Sequence, residues 1–301
     1  VNNNMFSFWI NILEQGLIFG VLALGVYITY KILDFPDLSV DGTFPLGAAV
    51  AASTIFLDIN PLIATFLAFV CGMLAGFFTG ILHVKLKITN LLSGILVMSG
   101  LYSMNLRIMG KSNIPLFNKK TIFSYGLKPI LIGIIFVVVL KLLLDFLLKT
   151  KFGFLLRAVG DNPQVATSLG VNIGSVKIIG LMLSNGLVAL SGALMAQYQN
   201  FSDIGMGTGV MVMGLASVIL GKSVFKKISL LSGTSVVVLG AILYKASTAF
   251  AMDLGFPPTD LKLITVVIVL LALSIKPNSI LKLRKPIRTG VITVAASKKS
   301  M

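Results

Sequence analysis

The stretch Lys149-Thr-Lys-Phe-Gly-Phe-Leu-Leu-Arg157-Ala-Val-Gly160-Asp-Asn162-Pro-Gln-Val-Ala166-Thr-Ser-Leu-Gly170-Val-Asn172-Ile-Gly-Ser-Val-Lys177 decides how the chain is read. It is the longest polar interruption between two strongly apolar runs, Pro129–Leu148 and Val176–Tyr198. A short helix is written inside it. Asp161 or Asn162 can cap the first free N–H groups, and Pro163 suits the first helical position, where no N–H is needed. Gly170 supplies a left-handed stop. The spacing predicts a helix over Pro163–Leu169, about 10 Å long. A helix of two turns is unstable alone in water. It must rest on the chain's own membrane part, on a separate protein, or on both.

Working outward, the composition names the solvent. Of 301 residues, 56% are hydrophobic and 12% charged, against roughly 25% charged in a soluble domain. Nearly continuous apolar runs mean membrane helices. Nine apolar segments are expected: Trp9–Tyr30, Phe44–Phe56, Leu62–Val84, Leu91–Ile108, Pro129–Leu148, Val176–Tyr198, Gly207–Leu220, Ile228–Phe250 and Leu261–Ile275. The fold class is therefore all-α, a polytopic membrane protein. The formal charge of +15 sits in short loops between apolar runs, which reads as membrane topology and not as nucleic-acid binding. The single cysteine, Cys71, excludes an internal disulfide and a cysteine metal cluster. Glu14 is the first charge, so no basic region precedes the first apolar run. A cleaved signal peptide is not expected there. Either Val1 or Met5 could be the start residue.

Lysine and arginine set the orientation. With Lys149–Lys177 in the cytoplasm, alternation puts Lys31, Lys85, Lys87, Lys222, Lys226, Lys227 and a basic tail, 276–301, on the same side. The outer set is Arg107, Lys111, Lys119, Lys120, Lys128, Lys245 and Lys262, with Lys141 inside a span. The bias favours the N-terminus outside and the C-terminus in the cytoplasm of a cell-membrane protein.

Phe44–Phe56 and Gly207–Leu220 are too short to cross about 30 Å of hydrocarbon as simple helices. Each follows a long span and an irregular polar link, Leu33–Thr43 and Asn200–Gly209. Asp37-Leu-Ser39 echoes Asp203-Ile-Gly205, Gly80–Lys85 echoes Gly240–Lys245, and Leu86–Thr89 echoes Leu261–Thr265. Gly16–Ile108 and 180–275 thus look like two copies of one unit running in opposite senses. That is an inverted repeat whose broken helices point to a substrate path near the midplane. The expected organisation is a membrane domain over 1–275, with the 149–177 region between repeats. Gly72, Gly76 and Gly80 repeat every four residues, as do Ala189, Ala193 and Gly192, Ala196. Such spacing lets helix backbones approach.

Catalytic chemistry is thin. His83 has no cysteine or histidine to share a metal with, so no metal site is expected. Gly221-Lys222-Ser223 ends like a phosphate-binding loop, but the preceding Gly214 is two positions too far away. Gly205-Met-Gly-Thr-Gly209 lacks the spacing and the strand–helix setting of a dinucleotide site. No catalytic residues are assigned, and the chain is not expected to bind ATP or any other cofactor itself. Glu14 is the sole glutamate, and driven secondary transporters usually carry ion-coupling groups in the membrane.

The polar stretch resembles the cytoplasmic coupling loop of binding-protein-dependent ABC importer permeases. Phe152–Ile173, with its Arg157-Ala pair, polar-small helix and Gly170-Val-Asn172, is most similar to the branched-chain amino-acid and ribose permease superfamily. Leu22–Tyr30, the broken link and Gly47-Ala fit the same pattern, which covers nearly all of Gly16–Ile275. Leu86–Met98 and Asn105–Gly110 resemble a group that pairs with periplasmic-type or lipoprotein receptors, some for tryptophan or tyrosine. The resemblance implies that Pro163–Leu169 docks in a separate ATPase subunit, which holds the ATP. Arg157, Gly160, Asp161, Asn162, Pro163, Ala166, Gly170 and Asn172 would form the coupling surface. It also implies an external solute-binding lipoprotein and a second permease copy or paralogue within the lipid bilayer.

For the translocation path the candidates are Asp37, Ser39, Asp41 and Thr43 on the first link, and Ser202, Asp203 and Thr208 on the second. Asn90 and Ser93, at the start of one span, and Ser184 and Asn185, early in another, complete the set. Polar side chains in a membrane segment either line a water path or bond across helices, and both readings stand at this point. The function expected is the membrane subunit of an ATP-driven importer for a small solute, an amino acid of aromatic or branched-chain type. The rivals are a self-sufficient secondary transporter or channel, and a membrane-embedded enzyme or scaffold.

Overall fold

A computed structural model describes residues 2–225, 231–257 and 260–274. The tail 276–301, Lys226 and Lys227 lie outside the described residues. The described part is mostly helical: α1 (Asn2–Val26), α2 (Val40–Phe56), α3 (Pro61–Val84), α4 (Asn90–Met109), α5 (Pro129–Lys149), α6 (Lys151–Asp161), α7 (Pro163–Ser168), α8 (Ile173–Gln199), α9 (Val210–Phe225), α10 (Gly233–Asp253) and α11 (Leu261–Ser274). Two three-residue strands, β1 (Asn113–Pro115) and β2 (Phe201–Asp203), pair antiparallel with Ile114 opposite Ser202. The all-helical expectation is corrected to that extent. β2 occupies part of the second link because its backbone finds partners in the loop after α4.

Local signals set the helix ends. Asn60 Oδ1 accepts from the Leu62 N–H at 2.9 Å, with Pro61 opening α3. Asn172 Oδ1 accepts from the Ser175 N–H at 3.1 Å at the start of α8. Both are N-caps that satisfy otherwise free donors. α10 begins at Gly233, behind the Ser232 cap; residues 228–230 of the expected Ile228–Phe250 segment lie outside the described residues.

Among the described residues, seven helical runs are long and apolar enough to cross a membrane: Phe6–Ile32, Pro61–Val84, Asn90–Met109, Pro129–Lys149, Ile173–Gln199, Ile204–Phe225 and Gly233–Asp253. Val40–Phe56 and Leu261–Ala272 are shorter apolar helices. Of the nine expected segments, then, seven reach spanning length. The Gly207–Leu220 segment is among them because a 3-10 turn, Ile204–Gly207, leads into α9. Its 22 residues reach about 33 Å at helical rise.

Lys245, expected in an outer loop, is instead inside α10. Its Nζ lies 3.8 Å from the Phe19 ring centre and 3.4 Å from Gln15 Oε1. A cation–π contact and an amide oxygen take the place of water around the ammonium group. The acid of the first span is also bonded: the Tyr198 hydroxyl donates to Glu14 Oε2 at 2.8 Å.

The centre is built from α1, α2 and α8. Residues 42–52 of α2 and 184–197 of α8 are buried nearly without interruption. Lipid offers no hydrophobic drive between helices, so close packing must hold them together. The small residues supply it. A Cβ on Gly72 would come 2.5 Å from the Asn185 carbonyl oxygen, one on Gly76 would enter the Leu181 carbonyl, and one on Gly80 would reach 2.9 Å from the Ile178 side chain. Gly192 is held equally close to the Phe44 carbonyl and Gly47 to that of Ala189. Outside this centre, α4 and α5 turn Leu91, Leu96, Leu142 and Phe146 outward, an apolar exterior suited to lipid.

Candidate functional site

The polar stretch folds as two helices, not one. α6 carries an inward stripe of Gly153, Leu156 and Val159, three residues apart. That spacing keeps one face of a helix against its support. Thr150 accepts from the Gly153 N–H at 3.4 Å at its start. A Cβ on Gly160 would enter the Ile32 carbonyl, so α6 lies directly on the end of the first span. This helix is absent from the sequence reading, where Arg157 and Gly160 stood in a loop. Its stripe was the available signal.

α7 follows at once and ends one residue short of the expected Leu169. Its cap is Asn162, not Asp161. The extended backbone of Asn162 brings its Oδ1 to the N–H groups of Gln164 at 3.1 Å and Val165 at 3.2 Å. Asp161 instead closes α6 and is exposed, and it makes no ion pair with the exposed Arg157. Gly170 turns left-handed at φ +76°, the conformation glycine adopts without steric cost. Within α7 only Ala166 is buried. Val165 and the following Leu169 are 52% and 73% exposed, so apolar side chains point away from the protein on a rigidly capped helix. Asn172 starts α8.

The first link is pinned about half-way along α8. Asn185 is the hub. Its Nδ2 donates to Asp37 Oδ2 at 2.8 Å and to the Leu181 carbonyl at 3.1 Å. Its Oδ1 accepts from Ser39 Oγ at 3.1 Å and Thr43 Oγ1 at 2.8 Å. Asp37 Oδ1 also accepts from the Ser39 N–H at 2.9 Å. All four side chains are fully buried, and the cluster pins the broken link to α8. Ser184, next along, donates to the Gly25 carbonyl at 2.8 Å and ties α8 to α1. These polar groups bond across helices, as buried polar groups in lipid must.

Asp41 joins one link to the other. Its carboxylate accepts from the Gly209 N–H at 3.0 Å and the Met211 N–H at 2.7 Å. A residue of the first link thereby caps the N-terminus of α9, where a negative charge is favoured. Asp203 Oδ1 accepts from the Gly205 N–H at 2.7 Å and caps the 3-10 turn. Thr208 donates to the Gly205 carbonyl, while buried Ser202 lies 3.9 Å from the Met109 sulfur. Ser93 bonds back to the Asn90 carbonyl at 2.9 Å.

Where the links meet, a cavity of about 440 Å³ is lined by Asp41, Gly42, Pro45, Met98, Tyr102, Asn105, Gly205 and Thr208, among others. Solute sites commonly have a few hundred Å³, mostly apolar walls and a few polar groups. Asp41 and Thr208 are the two sequence candidates on its wall. Asn90 lines a separate cavity, of about 730 Å³, with Pro36, His83 and Lys87. Met98, Tyr102 and Asn105 were missed as site residues. An asparagine inside an apolar run was the signal for the last of them.

Broken helices thus meet within a helical bundle, and a capped helix stands off one end. Residues 8–274 match the branched-chain amino acid transport system / permease component family, and the chain belongs to that family. Among its relatives is the tyrosine transport system permease protein of Clostridioides difficile (strain R20291), 54% identical over 261 residues, 87% of this chain and 88% of the relative. An uncharacterized protein of Rickettsia prowazekii (strain Madrid E), RP368, is 36% identical over 274 residues, 88% of this chain and 96% of that one. The autoinducer 2 import system permease protein LsrC of Salmonella typhi is 34% identical over 220 residues, 69% of this chain and 59% of LsrC. No solved structure matches the chain. The chain is thus a multi-pass cell-membrane transport subunit of an ABC-type system and not an enzyme.

Proposed function

We propose that the chain is the membrane-spanning permease of an ATP-driven importer that carries tyrosine, or an amino acid of similar side chain, into the cytoplasm. The observation that carries this reading is α7. It is capped by Asn162, anchored by Ala166 and otherwise exposed, with Val165 and Leu169 outward. A surface helix gains nothing from presenting leucine and valine to water, whereas a cleft on an ATPase subunit would cover them. Arg157, Gly160 and Asp161 on α6, with Gly170 and Asn172 behind α7, complete the coupling surface in this reading.

The cargo is suggested by the 54% identity to the tyrosine permease. ATP is bound by the separate ATPase, an external lipoprotein receptor delivers the solute, and a second permease copy or paralogue completes the membrane part. Residues 1–275 form the permease domain, with two inverted repeats whose links border the path. Asp41 and Thr208 face the cavity, and Asp37, Ser39, Thr43 and Asn185 hold the first link in place. The α7 end faces the cytoplasm, with the N-terminus outside. Movement of one repeat against the other exposes the path to each side in turn.

The test is uptake of radiolabelled L-tyrosine into proteoliposomes. The chain reconstituted with its ATPase and receptor takes up tyrosine when ATP is supplied on the α7 side. The chain alone takes up none, with or without an ion gradient. Gradient-driven uptake by the lone chain would instead make it a secondary transporter.

A further inference from the structure

We propose that Lys31, Arg157 and Lys222, gathered around Tyr27 at the α7 end of the bundle, form a site for a phosphate group. The inference goes beyond the import reading and does not depend on it. The first span ends in a π-helical turn, Tyr27–Ile32, that is packed against both α6 and α9. Each of the three elements brings one cation: Lys31 from the turn, Arg157 from α6 and Lys222 from α9. Lys222 Nζ stands over the Tyr27 ring, 5.6 Å from its centre. The Lys31 charge acts on Lys222, and the Arg157 charge acts on the Tyr27 phenol.

None of the three cations has a carboxylate partner among the described residues. Lys119 and Lys141, half-buried like Lys222, are paired with Asp58 at 2.7 Å and Asp145 at 3.0 Å. Asp145 is within electrostatic reach of Tyr27, but Lys141, Thr234 and Ser232 occupy its carboxylate. Like charges set side by side repel, and a half-buried ammonium group loses water that a ring face replaces only in part. An anion between the three would relieve both costs.

The donors say which anion. Three cations and a phenol hydroxyl suit a group with several acceptor oxygens, as phosphate has. Depth favours a lipid as its carrier. Lys31 and Lys222 fall within the last four residues of the spans Phe6–Ile32 and Ile204–Phe225, the level of the head groups. Basic pockets between spans at that level take acidic head groups. A lipid held there would rest on α6 and on the first span together, at the joint between the polar stretch and the first broken link.

The experiment measures two ligands on the purified full chain. One is radiolabelled phosphatidylglycerol in phosphatidylcholine mixed micelles, and the other is radiolabelled inorganic phosphate in equilibrium dialysis. Lys31→Gln with Lys222→Gln should weaken phosphatidylglycerol binding by at least about tenfold. Lys85→Gln with Lys87→Gln removes the same charge beyond the end of α3 and should change it by less than about threefold. Thermal unfolding checks that the variants are folded. If the first pair does not fold, Lys31→Gln alone carries the test, because that side chain is exposed; about fivefold weakening is expected. Inorganic phosphate bound with the same dependence on Lys31 and Lys222, in place of the lipid, supports the site and makes free phosphate its ligand. Failure of the wild-type chain to bind either ligand, binding that the Lys31 and Lys222 substitutions leave undiminished, or equal weakening by the Lys85 and Lys87 pair overturns the site.

Discussion

At the residue scale, single side chains settle which backbone groups are paired. Asn162 holds the N–H groups of Gln164 and Val165, two donors that a short helix otherwise leaves to water. Removing such a cap costs about 1 kcal/mol. Asn162→Ala should therefore speed amide exchange at 164 and 165 by about fivefold, read by hydrogen exchange on the purified protein. Unchanged exchange there would show that the helix does not depend on its cap. Gly76 illustrates the opposite constraint, since a Cβ at that position enters the Leu181 carbonyl. The carbonyl belongs to backbone and can yield only if α3 and α8 separate. Gly76→Val should cost about 2–3 kcal/mol, as overpacked interiors do, and lower the melting temperature by about 5 °C or more. Gly100→Ala is the control, because nothing lies within 4 Å of an added Cβ there.

At the element scale, α6 and α7 divide the work of the polar stretch. α6 is fastened to the first span through Gly160 and to the bundle through Leu156 and Val159. α7 rides on it with its surface free. A push on α7 would therefore be delivered to the end of the first span, where the helix winds into a π-helical turn, Tyr27–Ile32, just before the broken link. π-Turns inside long helices often mark functional positions. Val165→Asp should leave the fold intact, because the side chain is about half exposed. It should weaken co-purification of the ATPase by about tenfold, the effect of one charge placed in an apolar contact. Equal recovery of the ATPase would remove Val165 from the docking surface.

At the scale of the whole molecule, the ends of α8 give two addresses about 40 Å apart. α7 precedes its start, and the β1–β2 pair follows its end. In a Cys71→Ala background, Thr167→Cys and Asn118→Cys should react with a membrane-impermeant maleimide from opposite sides of the membrane. With the proposed orientation, Asn118→Cys is labelled in intact cells and Thr167→Cys only in inverted vesicles. Labelling of both from one side would reject the arrangement of spans; a swap of the two would reverse the orientation. The signal that orients the chain is its positive residues, and Lys245 shows where counting them along the sequence misleads. It lies within a span, over the face of Phe19, and votes for neither side.

The sequence by itself determined the solvent, the main helices and the capped helix at Pro163. Each depends on neighbours within a few residues: an unbroken apolar run, a proline at a first position, a glycine at a stop. The glycine stripe at Gly72, Gly76 and Gly80 was legible for the same reason. Only the tertiary structure decided which polar residues are fastened and which face a cavity. Asp41 and Asp37 look alike in the first link, yet one caps α9, about 170 residues away, and the other is enclosed by Asn185 and Ser39. Asn105 and Asn185 look alike within apolar runs, yet Asn185 is saturated while the buried Asn105 oxygen has no partner among the described residues. In a membrane interior a polar group takes whatever partner the neighbouring helix brings to it. Those partners belong to helices distant in sequence, so the distinction arises only when the bundle closes.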